Sequence, residues 1–178
     1  MTRAQLEHII RAACAICGDD ELYIAGSQSI LGKHPDAPSE LLVSMEADAA
    51  PRHYPEREEL IEGAIGELSP FHRTFGYYAD GIEMDKLSLP QGWTDRVVII
   101  RNRNTNRMSG LCLEPHDCAI SKLFAGRDKD MVFIATLLRL RLLRADRLRE
   151  LLPLVRFGGE KAALSQERLE RILREQGL

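Results

Sequence analysis

Glu46 and Asp48 stand two residues apart in the stretch VSMEADA. On a strand, both side chains would leave the same face, about 7 Å apart along the chain. Carboxylates placed beside apolar neighbours are costly unless something positive lies between them. Magnesium suits that position, because it takes carboxylates together with substrate phosphates and keeps its waters. An ion held there would neutralise charge on a transferring phosphoryl group and align the attacking oxygen. A half-exposed strand also carries acidic residues at alternate positions with no chemistry attached, so the spacing alone leaves both readings open.

Some twenty residues earlier, the stretch IAGSQSILG sets Gly26 and Ser27 between an apolar run and a helical turn. Main-chain N–H groups at such a turn can grip a phosphate, and glycine lets the backbone come close. The same nine residues would serve equally as an ordinary strand-to-helix turn. A phosphate grip followed by an acidic pair on the next strand is the minimum equipment for nucleotidyl transfer.

The elements that would position these residues follow from periodicity. Thr2 and Gln5 form a capping box for a helix RAQLEHIIRAACAIC that stops at Gly18. LYIAG reads as a short buried strand, and ELLVSMEADA as a second strand that begins apolar and then alternates, ended by Pro51 and Pro55. EREELIEGAIGEL is an amphipathic helix, and residues 75–113 carry a β pattern. After Glu114 the pattern is helical to the end, with Pro115 at a favoured first helical position and DKDMVFIATLLRLRLL as a long, mostly apolar helix. The expected fold is α/β: a mixed-sheet core over residues 1–114 flanked by helices, and a C-terminal helical annex over 115–178 packed on it.

The 178 residues, 44% apolar and 29% charged, describe a globular chain and exclude a disordered or fibrous one. The N-terminus lacks an apolar signal-peptide core, and no apolar run reaches the length of a membrane span, so the expected address is cytoplasmic with no membrane partner. The net charge of −3 hides an asymmetry: residues 1–95 carry seven Lys/Arg against 17 Asp/Glu, and residues 96–178 carry 17 against ten. Cys14, Cys17, Cys112 and Cys118 could be written as a zinc set, but Cys14 and Cys17 share a helical stripe with Leu6, Ile9, Ile10 and Ala13, which reads as buried thiols. The five histidines have no metal-ligand spacing, although His34 and His53 flank the acidic pair. Arg139, Arg141, Arg144, Arg147 and Arg149 crowd a helix junction and could track a nucleic-acid backbone or form a solvated face; no aromatic residue interleaves with them to stack on bases.

Gly26 and Ser27 in IAGS, followed by Glu46 and Asp48 in VSMEADA, make the chain resemble the minimal nucleotidyltransferase superfamily of the polymerase β type. A second block, DCAISKLFAGRDKDMVFIATLL, looks like the helix pair of an uncharacterised bacterial branch and of related abortive-infection type IV toxin components. There Asp117, Lys122, Arg127, Lys129 and Asp130 fall on the family's polar positions, and LPQGWTDRVV looks like a stretch of the same branch. The resemblance implies a magnesium-dependent transfer of a nucleotidyl group from a nucleoside triphosphate to a hydroxyl acceptor, on RNA or protein. Gly26, Ser27, Lys122, Arg127 and Asp130 would bind substrate, Glu46 and Asp48 would hold the metal, and a third carboxylate would complete catalysis. Asp80, Glu83 and Asp85 all lie in the region for that third group, and Asp80 is preferred because it follows the apolar run FGYYA. The first acidic position holds Glu46 where the superfamily usually has Asp, which suits a second reading: a module that keeps the fold and binds a nucleotide, RNA or a protein such as a small antitoxin without catalysis.

Overall fold

The computed structural model describes residues 1–156 and 159–178, which group into two units: Met1–Met84 with Val97–Leu113, and Asp85–Arg96 with Glu114–Leu178. In the first unit, α1 (Arg3–Cys17) opens on the Thr2–Gln5 capping box and stops at Gly18. Its stripe of Leu6, Ile9, Ile10, Ala13, Cys14 and Cys17 is buried, as the 3.6-residue period requires. Each large side chain of that stripe contributes about 1.5–3 kcal/mol by leaving water.

Five strands follow: β1 (Glu21–Ala25), β2 (Glu46–Pro51), β3 (Tyr78–Gly81), β4 (Val98–Ile100) and β5 (Ser109–Cys112). They form one mixed sheet in the order β3-β2-β1-β5-β4, with β2 antiparallel to β1 and parallel to β3. A 3₁₀ turn (Ser27–Ser29) and the short α2 (Ile30–Lys33) follow β1; α3 (Glu58–Ile65) and α4 (Pro70–Phe75) lie between β2 and β3. The register puts Leu22, Ile24, Ala47, Ala49, Ala79 and Ile100 on one face, all fully buried. α3 packs so closely there that a Cβ at Gly81 would stand 2.1 Å from the Glu58 carbonyl oxygen. The opposite face carries Tyr23, Glu46, Asp48, Tyr78 and Asp80, each half-buried.

Two sequence expectations are corrected in this unit. The second strand begins at Glu46 rather than in the apolar ELLV, and Val43 is 80% exposed. The Leu42 and Ser44 carbonyls accept from the Met1 ammonium instead of joining a ladder. Residues 75–113 are also less regular than their β pattern: Phe75 ends a helix, and the Asp85–Arg96 segment leaves the sheet for the second unit.

That unit holds α5 (Pro115–Ala125), α6 (Asp128–Arg139), α7 (Ala145–Leu151) and α8 (Glu160–Glu175). Pro115 sits in the first turn of α5, behind a Glu114 carboxylate that accepts the His116 N–H. Ala119, Ile120, Leu123, Ile134, Leu137, Leu148, Leu169 and Leu173 form its core. The Asp85–Arg96 segment is tied in by a bridge between Pro90 and Val155 and by the Arg96 guanidinium on the buried Asp117 carboxylate, at 2.7 and 2.8 Å. The long apolar helix expected to run to Leu143 ends at Arg139, where Arg141 adopts a positive φ of 57°. No helix of the described residues is long and apolar enough to cross a membrane.

Candidate active site

Strand register carries the site. Ala25, the residue before Gly26, pairs with Asp48, and Asp48 pairs with Asp80, so the turn and two acidic residues form a row across β1, β2 and β3. Glu46, two residues before Asp48, leaves the same face and pairs with Tyr78. Gly26 has φ 61° and ψ −165°, a conformation open to glycine, and its Cα is covered by the Asp48 carboxylate. The turn is closed by Ser29, whose hydroxyl donates to the Gly26 carbonyl at 2.9 Å. Gln28, 1% exposed, donates through Nε2 to the Ser44 carbonyl at 3.1 Å, joining the glycine turn to the entry of β2.

The electrostatics of the row are those of crowded anions. Partial burial, followed by the charges of Glu46, Glu62 and Glu67, pushes the Asp80 carboxyl up to about 6. The Tyr78 phenol is pushed up to about 12 by burial and by Glu46, Glu67 and Asp80, and it keeps its proton at neutral pH. Beside Asp80 an open groove of about 650 Å³ is lined by Glu59, Glu62, Gly63, Glu67 and Leu68. Glu83 is exposed just beyond the end of β3, and Asp85 belongs to the second unit, so of the three candidate third carboxylates Asp80 is the one in register with Asp48.

Lys122, Arg127 and Asp130 are brought together in the second unit. Asp130 is fully buried; Lys122 Nζ donates to its Oδ1 at 2.7 Å and Arg127 Nε to its Oδ2 at 2.6 Å. Burial pushes the Asp130 carboxyl up, but the bonds and charges from Arg127 and Lys122 outweigh it and hold the carboxyl below its ordinary value. Asp117 is likewise fully buried against Arg96, and Lys129 is exposed. Of the arginines at the α6–α7 junction, Arg144, Arg147 and Arg149 pair with Asp146, Glu150 and Glu170.

Reading the sequence missed two relationships. Among the described residues, Asp19, Asp20 and His53 bring their ligating atoms within 4.8 Å of one another. The four acceptances at Asp19, from the N–H groups of Glu21, His53 and Tyr54 and from His53 Nδ1, saturate its carboxylate and tie the entry of β1 to the exit of β2. That contact follows from the β1–β2 register and has no signal in residue spacing. Tyr78 belongs by sequence to the apolar run FGYYA, and its place two residues before Asp80 puts it on the acidic face once the strand is known.

No curated protein and no solved structure gives a significant match to the chain. A family model described as "Nucleotidyltransferase of unknown function (DUF6036)" matches residues 42–156, a stretch that holds Glu46, Asp48, Asp80 and the Asp117–Asp130 block and begins after Gly26 and Ser27. The chain belongs to this nucleotidyltransferase family.

Proposed function

We propose that the chain transfers a nucleotidyl group from a nucleoside triphosphate to a hydroxyl acceptor with the help of a divalent cation, magnesium being the natural one. The observation that carries this reading is the row of Gly26, Asp48 and Asp80 across three neighbouring strands on one sheet face. The donor set fits a hard cation: it is all carboxylate, and a bound cation would offset both the burial and the neighbouring charges that raise Asp80. Glu46 and Asp48 would hold the ion, which would supply neutralisation of charge on the phosphoryl group being transferred.

The chain's own residues do the rest. The main chain at Gly26 and Ser27 holds the triphosphate, and the missing side chain at Gly26 makes room for the Asp48 carboxylate beside it. Asp80, raised towards neutrality, accepts the proton of the acceptor hydroxyl as its oxygen bonds to the α-phosphorus and pyrophosphate departs. The four carboxylates around the groove favour a protein or cationic acceptor over RNA, whose phosphates they repel. Lys122, Arg127 and Asp130 serve first as the ion-paired lock between α5 and α6; Arg127, with its side chain 58% exposed, is the member of the three placed to meet a ligand.

A second reading, a binding module without catalysis, is favoured by Glu46 at the first acidic position. Calorimetry with nucleoside triphosphate and magnesium, together with label transfer from an α-labelled triphosphate, separates the two. The wild type is expected to bind triphosphate only with the metal and to transfer label, and Asp48→Asn to lose transfer while remaining folded. An equal rate in Asp48→Asn, or absence of metal-dependent triphosphate binding in the wild type, overturns the proposal. Binding without transfer leaves the module reading standing.

A further inference from the structure

We infer that Tyr78 is a positioning residue that holds the longer carboxylate of Glu46 in its working place; the inference rests on the metal-binding role proposed for Glu46. The two are paired neighbours on the parallel strands β2 and β3, and their side chains leave the same sheet face. The Tyr78 hydroxyl donates to Glu46 Oε2 at 3.5 Å, a long O–H···O contact that is already present without a bound cation.

The phenol is itself held. The His72 ring lies against the Tyr78 ring, with centroids 4.6 Å apart and planes at 42°. His72 is held in turn from Leu68 and Ser69: its Nδ1 accepts the Leu68 N–H at 3.1 Å, and its own N–H donates to the Ser69 hydroxyl at 3.1 Å. Leu68 has φ 61°, an unusual conformation for a leucine, kept by the bond to His72 and by the Arg73 guanidinium on its carbonyl at 2.7 Å. The Leu68–Ser69 turn therefore orients an imidazole, the imidazole lies against a phenol, and the phenol reaches the carboxylate.

Glu46 needs such a partner more than an aspartate would. Its extra methylene adds a rotatable bond between backbone and ligand oxygens, and ordering that bond costs conformational entropy. A hydroxyl donor on one oxygen selects among the rotamers and leaves the other oxygen for a cation, the service that outer-shell partners give to metal ligands.

Tyr78→Phe removes the hydroxyl and keeps the ring stack. In the metal-free protein, ¹³C relaxation of a labelled Glu46 side chain is expected to show an ordered carboxylate in the wild type and a mobile one in Tyr78→Phe. Mn²⁺ titration followed by electron paramagnetic resonance is expected to show affinity about tenfold weaker in Tyr78→Phe. In a Glu46→Asp background, where the shorter side chain withdraws from the hydroxyl, the same change is expected to have no further effect. Wild-type order at Glu46 in Tyr78→Phe, or equal losses of affinity in both backgrounds, overturns the inference. A wild type that takes up no Mn²⁺ overturns the proposed metal site instead, and the relaxation measurement still decides the role of Tyr78.

Discussion

The carboxylate of Asp48 occupies the space where a side chain at Gly26 would begin: a Cβ built there would stand 1.7 Å from Oδ2 and 2.9 Å from Cγ. Gly26→Ala therefore has to displace the carboxylate as well as adopt a positive φ. The backbone strain alone costs about 1–3 kcal/mol, because φ 61° with ψ −165° is a conformation essentially confined to glycine. Gly76→Ala is the control, since Gly76 has φ 75° and no atom within 4 Å of an added Cβ. Urea unfolding is expected to show a larger loss in Gly26→Ala than in Gly76→Ala, and calorimetry to show metal-dependent triphosphate binding lost in Gly26→Ala alone. Retained binding in Gly26→Ala would mean that the contact with Asp48 has no functional consequence.

Asp80 lies opposite Asp48 in the β2–β3 register, and its carboxyl is raised to about 6. A raised carboxyl favours the protonated form in the folded state, so the cost of its burial and of the repulsion from its neighbours is fully felt above pH 6 and is relieved as the pH falls towards the ordinary carboxylate value. Asp80→Asn should then stabilise the protein in metal-free buffer at pH 7.5 by about 1 kcal/mol after solvent screening, or about 2–4 °C in Tm for a chain of this size. The gain should disappear at pH 3.5 and reverse when magnesium and triphosphate saturate the wild type. Scanning calorimetry under the three conditions reads this out, and a destabilised Asp80→Asn at pH 7.5 without metal contradicts it.

The triad of Lys122, Arg127 and the buried Asp130 makes an opposite pH prediction. The Asp130 carboxyl is held below its ordinary value, so its stabilisation is present above that value and is lost as the pH falls through the depressed one. Asp130→Asn leaves the buried Lys122 ammonium without its counter-charge and should cost about 3–5 kcal/mol at pH 7 in urea unfolding. The difference between mutant and wild type should shrink in strong acid. A cost that stays constant with pH would show that packing, not charge, is what Asp130 contributes.

All four cysteines are buried, and burial pushes the Cys14 and Cys112 thiols up to about 12. Thiolate is the reactive form, so none of the four should react with a disulfide reagent at pH 8 until the chain unfolds. Rapid labelling of one thiol in the native protein would place that residue nearer the surface than the structure does.

Local sequence carries much of the fold's outline. The Thr2–Gln5 box, the stripe from Leu6 to Cys17 and Pro115 at the start of α5 depend on helix caps and period, which act within a few residues, and the structure has them where the sequence puts them. Segments are less regular than their patterns where the backbone has another partner. Leu42 and Ser44 give their carbonyls to Met1, and Asp85–Arg96 is joined to the helical unit by Pro90 against Val155 and by Arg96 on Asp117. Neither partner lies within reach of a local pattern.

The candidate site divides in the same way. Residue type and alternation on their own put Glu46 and Asp48 on one strand face and place Gly26 at a strand-to-helix turn, without saying what that turn approaches. Only tertiary structure decided that Gly26 touches Asp48, that Asp80 is the acid aligned with it, and that Tyr78 reaches Glu46. A strand's own sequence sets which residues share a face, but its register against neighbours is set by packing across the whole sheet, over sequence separations that no local pattern can encode.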